Sequence, residues 1–172
     1  MGEKNRKTRL ILALAALFQV ALASVSAQTT EQSDSLVRLL SADYIEQVEI
    51  DEDLMRKAAN PVFLHNGTYL QSDTALWSQN NKIINFFGNV RMIQGDAELT
   101  SEKLDYYIDE DLAQFRGPLI ELRNKEDNIL RTRILDYNTK DSLAVFRNGA
   151  SMRSSDGQII ESDEGTYCNA LS

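Results

Sequence analysis

Apolar and polar residues alternate one by one along much of the chain beyond residue 60. Ile84, Phe86, Gly88, Val90 and Met92 interleave with Asn85, Phe87, Asn89 and Arg91. Ala113, Phe115, Gly117 and Leu119 form a second such run, and Ala144, Phe146, Asn148, Ala150 and Met152 a third. Successive side chains of an extended backbone leave opposite faces, so a period of two predicts half-buried strands with one set pointing inward. Turn-forming clusters separate the runs at Gln79-Asn80-Asn81, Gln94-Gly95-Asp96, Asp109-Glu110-Asp111, Asn124 to Asn128, Asn138 to Asp141 and Ser155-Asp156-Gly157.

The same layout recurs. Ser72, Ser101, Thr132 and Ser162 fall in one column, spaced 29, 31 and 30 residues apart. Trp77, Tyr106, Tyr137 and Tyr167 stand five residues later, and Leu70, Leu99, Leu130 and Ile160 two residues earlier. Phe86, Phe115 and Phe146 precede the turn-like pairs Gly88-Asn89, Gly117-Pro118 and Asn148-Gly149, which lead into Val90, Leu119 and Ala150. Agreement between several independent columns marks an internal repeat with a period near 30. "SADYIEQVEIDEDLMRKAANPV", Ser41 to Val62, fits the register as a degenerate first copy. Taken alone, Leu36 to Ala59 has the spacing of an amphipathic helix. The repeat register favours strands from Ser41 onward, with a short helix left open at Ser35 to Leu40.

These patterns predict an all-β domain of stacked antiparallel hairpin repeats at residues 41–172, the last repeat incomplete, preceded by a lead-in at 28–40. The inward columns are Leu70, Leu99, Leu130 and Ile160; Phe86, Phe115 and Phe146; and Ala75, Leu104 and Leu135. Ile84, Val90, Met92 and Leu119 join them on the same face. Two readings stand side by side: an ordinary packed core, or an apolar trough for an acyl chain.

Composition narrows the choice. Lys4, Arg6, Lys7 and Arg9 precede the apolar run Leu10 to Ala23 and the small-residue stretch "VSA", Val25 to Ala27. That is the layout of a secretory signal peptide at residues 1–27, with an uncleaved anchor as the alternative. The net charge of −8, with no basic stripe, argues against a nucleic-acid partner. One His and one Cys among 172 residues give no multi-His or Cys-His metal set, no credible Ser-His-Asp triad and no disulfide framework. Asp109, Glu110 and Asp111 could imitate a glycosidase or Ca²⁺ site, but they fall at an expected hairpin tip. Arg131 and Arg133 could meet a lipid phosphate, with a solvated strand face as the plainer reading. No catalytic residue, metal or cofactor is implied.

At "FFGNVRMIQGDAELTSEKLDYY", Phe86 to Tyr107, the chain resembles the OstA-like family of lipopolysaccharide-transport proteins. The resemblance is carried by Gly88, Asn89, Val90, Gly95, Asp96, Leu99, Ser101, Glu102 and Tyr106, and extends over roughly Ser41 to Tyr167. It implies a β-jellyroll, or open taco, in a non-enzymatic periplasmic protein. Such a protein carries lipopolysaccharide from the inner to the outer membrane, with lipid A acyl chains in the apolar trough. It also implies partners in the inner-membrane export complex and the outer-membrane translocon, met through edge strands, and head-to-tail stacking of copies. Two other function classes compete: an envelope scaffold that uses the fold only to stack, and a carbohydrate-active enzyme on a β-solenoid, which lacks the residues for chemistry. N-terminal sequencing of the exported protein is expected to start at Gln28; an intact Met1 would refute the cleavage site.

Overall fold

The computed structural model describes residues 36–78 and 80–168; the signal-peptide reading lies outside the described residues. Fourteen strands make one antiparallel sheet. In chain order they are β1 (Arg38–Ser41), β2 (Tyr44–Ile50), β3 (Asp53–Ala59), β4 (Val62–His65), β5 (Thr68–Gln71), β6 (Thr74–Ser78) and β7 (Ile83–Gln94). Then follow β8 (Ala97–Tyr107), β9 (Leu112–Arg123), β10 (Ile129–Asn138), β11 (Leu143–Phe146), β12 (Ala150–Arg153), β13 (Ile159–Ser162) and β14 (Gly165–Cys168). One 3₁₀ turn, Ile108–Glu110, joins β8 to β9. The stretch with helical spacing is extended instead. β2 and β3 pair from Tyr44↔Ala59 to Ile50↔Asp53 across Asp51 and Glu52, whose φ values of 51° and 65° suit a tight hairpin turn. Of Ser35 to Leu40, where a short helix was left open, Arg38 to Leu40 belong to the strand β1, which pairs with β4, and Ser35 lies outside the described residues.

The long strands β7 to β10 pair in order, and the sheet forks on either side of them. β7 pairs with β6 through its first half and with β5 through its second. β10 pairs with β12 through its first half and with β11 through its second. The sheet is therefore two half-sheets sharing continuous strands. One holds β2, β3, β6, β11 and β14; the other holds β1, β4, β5, β12 and β13. They face each other: Phe63 of β4 meets the rings of Trp77 and Phe86 edge-on, at 5.6 and 5.5 Å.

The fold back depends on breaks in strand register at Phe87/Val90, Thr100/Lys103 and Thr132/Ile134. The repeated hydroxyls sit at these corners. Ser72, Ser101 and Ser162 donate to the carbonyls of Thr74, Lys103 and Glu164 at 2.7–2.9 Å, and Thr132 donates to Gly149 at 2.8 Å. A hydroxyl bonded two residues ahead turns the backbone out of the ladder. The return corner of β7 is Gly88-Asn89, both left-handed with φ of 72° and 45°. A Cβ at Gly88 would collide with the Asp73 carboxylate, so the corner needs glycine on two counts.

Cross-strand rows fill the interior. In one half-sheet Ala75, Phe86, Leu104, Phe115, Leu135 and Phe146 lie side by side. In the other the row is Phe63, Leu70, Met92, Leu99, Leu122, Leu130, Met152 and Ile160. One sequence assignment is corrected here. Leu119 was placed in the column of Val90 and Ala150, yet it is 53% exposed while Ile120 is fully buried. Three residues separate Phe86 from Val90, and four separate Phe115 from Ile120. The extra residue in the Gly117-Pro118-Leu119 corner reverses the alternation, so Ile120 and Leu122 continue the inward set. Phe115→Ala is therefore expected to cost ~3–5 kcal/mol of unfolding free energy. Leu119→Ala should stay within about 0.5 kcal/mol of the parent. Urea denaturation of both variants checks the assignment, and a larger loss at Leu119 would refute it.

Candidate functional site: the interior and its seam

The candidate lining residues fall into two groups. Leu70, Ala75, Ile84, Phe86, Val90, Met92, Leu99, Leu104, Phe115, Leu130, Leu135 and Phe146 all belong to one buried cluster. Leu119 and Ile160 do not. Ile160 pairs with Met152 in the inward row but stands 62% exposed, because β13 is an outermost strand. The sequence columns missed Phe63, Ile120 and Leu122, each at most 1% exposed. Their signal was available: each carries the period of two onward once the corner lengths are known.

The interior is closed by its own side chains. Burying a hydrocarbon side chain removes it from water at roughly 25 cal/mol per Å², so apolar rows facing each other collapse unless something else fills the gap. A notch of about 540 Å³ opens elsewhere on the surface, lined by Leu119, Arg131, Arg133, Glu161 and Asp163 among others. Of its two arginines, Arg131 is engaged with Glu121 at 2.9 Å. Among the described residues no group of His, Cys, Asp or Glu is placed to hold a metal ion.

Opposite the corners, the turn edges of the half-sheets meet in a polar seam. The repeated aromatic column supplies one side of it. The Tyr106 hydroxyl lies 2.7 Å from His65 Nδ1, the Tyr137 hydroxyl donates to Gln94 Oε1 at 3.0 Å, and Asn124 Nδ2 donates to the Tyr167 hydroxyl at 2.9 Å. Gln94 Nε2 donates to the Thr139 carbonyl, and Asn66 Nδ2 donates to Asp111 Oδ1 at 3.0 Å. Asp111 thus acts in a turn and across the seam. His65 and Gln94 end strands of the second half-sheet and Asn124 directly follows one, each one alternation beyond Phe63, Met92 and Leu122. No sequence column singled them out, because three different polar residues share the position. Trp77, the first aromatic of the column, packs on Phe63 with the Arg56 guanidinium 5.7 Å from its ring centre.

Burial governs the seam's proton chemistry. It pushes the Tyr106 phenol up to about 12; the bond to Thr139 opposes the rise and nearby Asp111 adds to it. Burial also raises Tyr137 and Tyr167. The buried hydroxyl of Thr68 has no hydrogen-bond partner among the described residues. A phenol that ionises near 10 unfolded and near 12 folded binds more protons in the folded state between those values. Stability is complete below pH ~10 and declines as pH rises toward ~12, at up to about 1.4 kcal/mol per unit from Tyr106. Tyr106→Phe should flatten that decline in alkaline denaturation curves, and an unchanged slope would show that Tyr106 does not cause it.

The outermost strands β1 and β2 lie at one end of the sheet and β13 and β14 at the other, each with one paired neighbour. Leu40, Tyr44, Ile45, Ile50 and Leu54 are exposed at the first end, and Ile159 and Ile160 at the second.

Comparison with known proteins agrees with this architecture. Among solved structures, the chain is similar to LptH of Pseudomonas aeruginosa, described as the LptA homologous periplasmic component of the conserved lipopolysaccharide transport device. The match has a TM-score of 0.57 at 14% identity and covers 76% of this chain and 97% of LptH, a likeness of fold. No curated protein sequence matches. The model of the family described as OstA-like protein matches residues 34–172, and the chain belongs to that family.

Proposed function

We propose that the chain is a periplasmic bridge protein that carries lipopolysaccharide from the inner to the outer membrane, holding the lipid A acyl chains between its half-sheets. The observation that carries this reading is the unbroken pair of apolar rows from Phe63 and Ala75 at one end of the sheet to Met152 and Phe146 at the other. Each methylene sheltered there contributes roughly 0.8 kcal/mol, without directional demands that would fix one chain position. A carrier that must also release its cargo is served by such a continuous surface. The unpaired edges at both ends suit β-strand addition, through which copies of the chain, the inner-membrane export complex and the outer-membrane translocon would join into one path. The transport device named for LptH supports the same reading. The work is binding and transfer, with no bond made or broken.

A second reading, an envelope scaffold that stacks with its partners and carries no lipid, is favoured by one observation: the side chains of the two apolar rows bury one another. The two separate by experiment. Photo-crosslinking residues at Phe86, Leu99, Phe115, Leu130 and Phe146 are expected to capture lipopolysaccharide in cells, whereas probes at Asn85, Arg116 and Arg147 on the other face should not. Phe115→Asp should abolish transfer by placing an unpaired charge in the path, with protein level monitored in parallel. Capture on both faces alike, or on neither, would leave the scaffold.

A further inference from the structure

We propose that the seam of Tyr106 with His65, Tyr137 with Gln94, and Tyr167 with Asn124 is a latch, and that lipid enters the interior sideways by parting it. The inference rests on the carrier reading above and specifies the route. An acyl chain cannot enter through the corners, where β7 to β10 run unbroken from one half-sheet to the other. The turn edge has no such continuity. The cross-seam bonds described there all involve a side chain: His65 to Tyr106, Asn66 to Asp111, Gln94 to Tyr137 and to the Thr139 carbonyl, and Asn124 to Tyr167. Parting them breaks no strand pairing, and each freed group finds water at once. The apolar rows behind them then need a new covering, which hydrocarbon supplies.

The latch is graded by position. Tyr106 and Tyr137 are fully buried, while Tyr167 is only partly covered. Its partner Asn124 belongs to the turn after β9, which it closes by accepting from the Asn128 amide. Thr68, buried without a hydrogen-bond partner among the described residues, leaves one polar group unsatisfied in the closed state. An unsatisfied buried hydroxyl destabilises the arrangement that buries it. The seam is thus held firmly enough to keep the interior closed and weakly enough to open for a ligand.

The test locks the seam in the full exported chain carrying Cys168→Ser, which removes the exposed free thiol. A reducible bis-maleimide joins Asn66→Cys to Asp111→Cys at one end of the seam, or Asn124→Cys to Tyr167→Cys at the other. Uptake of fluorescent lipopolysaccharide is then followed over time. The expected result is loss of uptake in each locked protein and recovery on reduction, with an unchanged circular dichroism spectrum. Uptake by the locked protein at the unlocked rate would overturn the latch and leave a carrier loaded from its ends. No uptake by the unlocked parent would overturn the carrier reading and the latch with it. In an independent arm, Tyr106→Phe and Tyr137→Phe keep the rings and remove the bonds. Each should speed uptake by about five-fold, the population change for one hydrogen bond. Unchanged or slower uptake by these folded variants would also overturn the proposal.

Discussion

Everything in this molecule follows from turning one sheet back on itself. A single antiparallel sheet with alternating faces has nowhere to bury its apolar side, since a lone layer leaves that side in water. The chain meets the constraint within its strands. Ser72, Ser101, Thr132 and Ser162 bend the backbone at one kind of corner, and left-handed pairs such as Gly88-Asn89 bend it at the other. Because the long strands pass through the bend unbroken, the two half-sheets stay in register with each other. Phe63 of one half therefore meets Trp77 and Phe86 of the other.

The bend leaves the two long edges of the interior unlike each other. Along the corners, covalent backbone and ladder hydrogen bonds hold the halves together. Along the turns, each hydrogen bond described between the halves involves a side chain, and the aromatic column caps an apolar ring with a hydroxyl that reaches across. Tyrosine suits that position because its ring belongs to the core and its oxygen to the seam. Where tryptophan replaces it, at Trp77, the ring turns to Phe63 and Arg56 instead. The corner edge and the turn edge are thus held by different chemistry.

The ends add a third feature. Among the described residues, strands β1, β2, β13 and β14 present unpaired edges flanked by exposed Leu40, Tyr44, Ile45, Ile159 and Ile160. Edges of this kind attract further strands. Ile160, inward in its row and exposed because the row stops there, shows that the interior row runs to the edge of the sheet.

Much of this was legible in the chain. The period of two, the recurring turns and the columns of Phe, Leu and hydroxyl residues determined an all-β repeat fold and most of its buried rows, because alternation and turn chemistry are local properties. The signature from Gly88 to Tyr106 named the family. Leu119 was misassigned because parity across a corner depends on corner length, and one added residue in Gly117-Pro118-Leu119 exchanges inside for outside. The helical spacing of Leu36 to Ala59 yielded to pairing with β4 and β6, which no local pattern contains. The seam partners His65, Gln94 and Asn124 share a place but no side-chain type, so only the approach of the two half-sheets reveals them. Whether the apolar rows stand open or closed was likewise decided by tertiary structure, since it depends on how two distant faces pack across the interior.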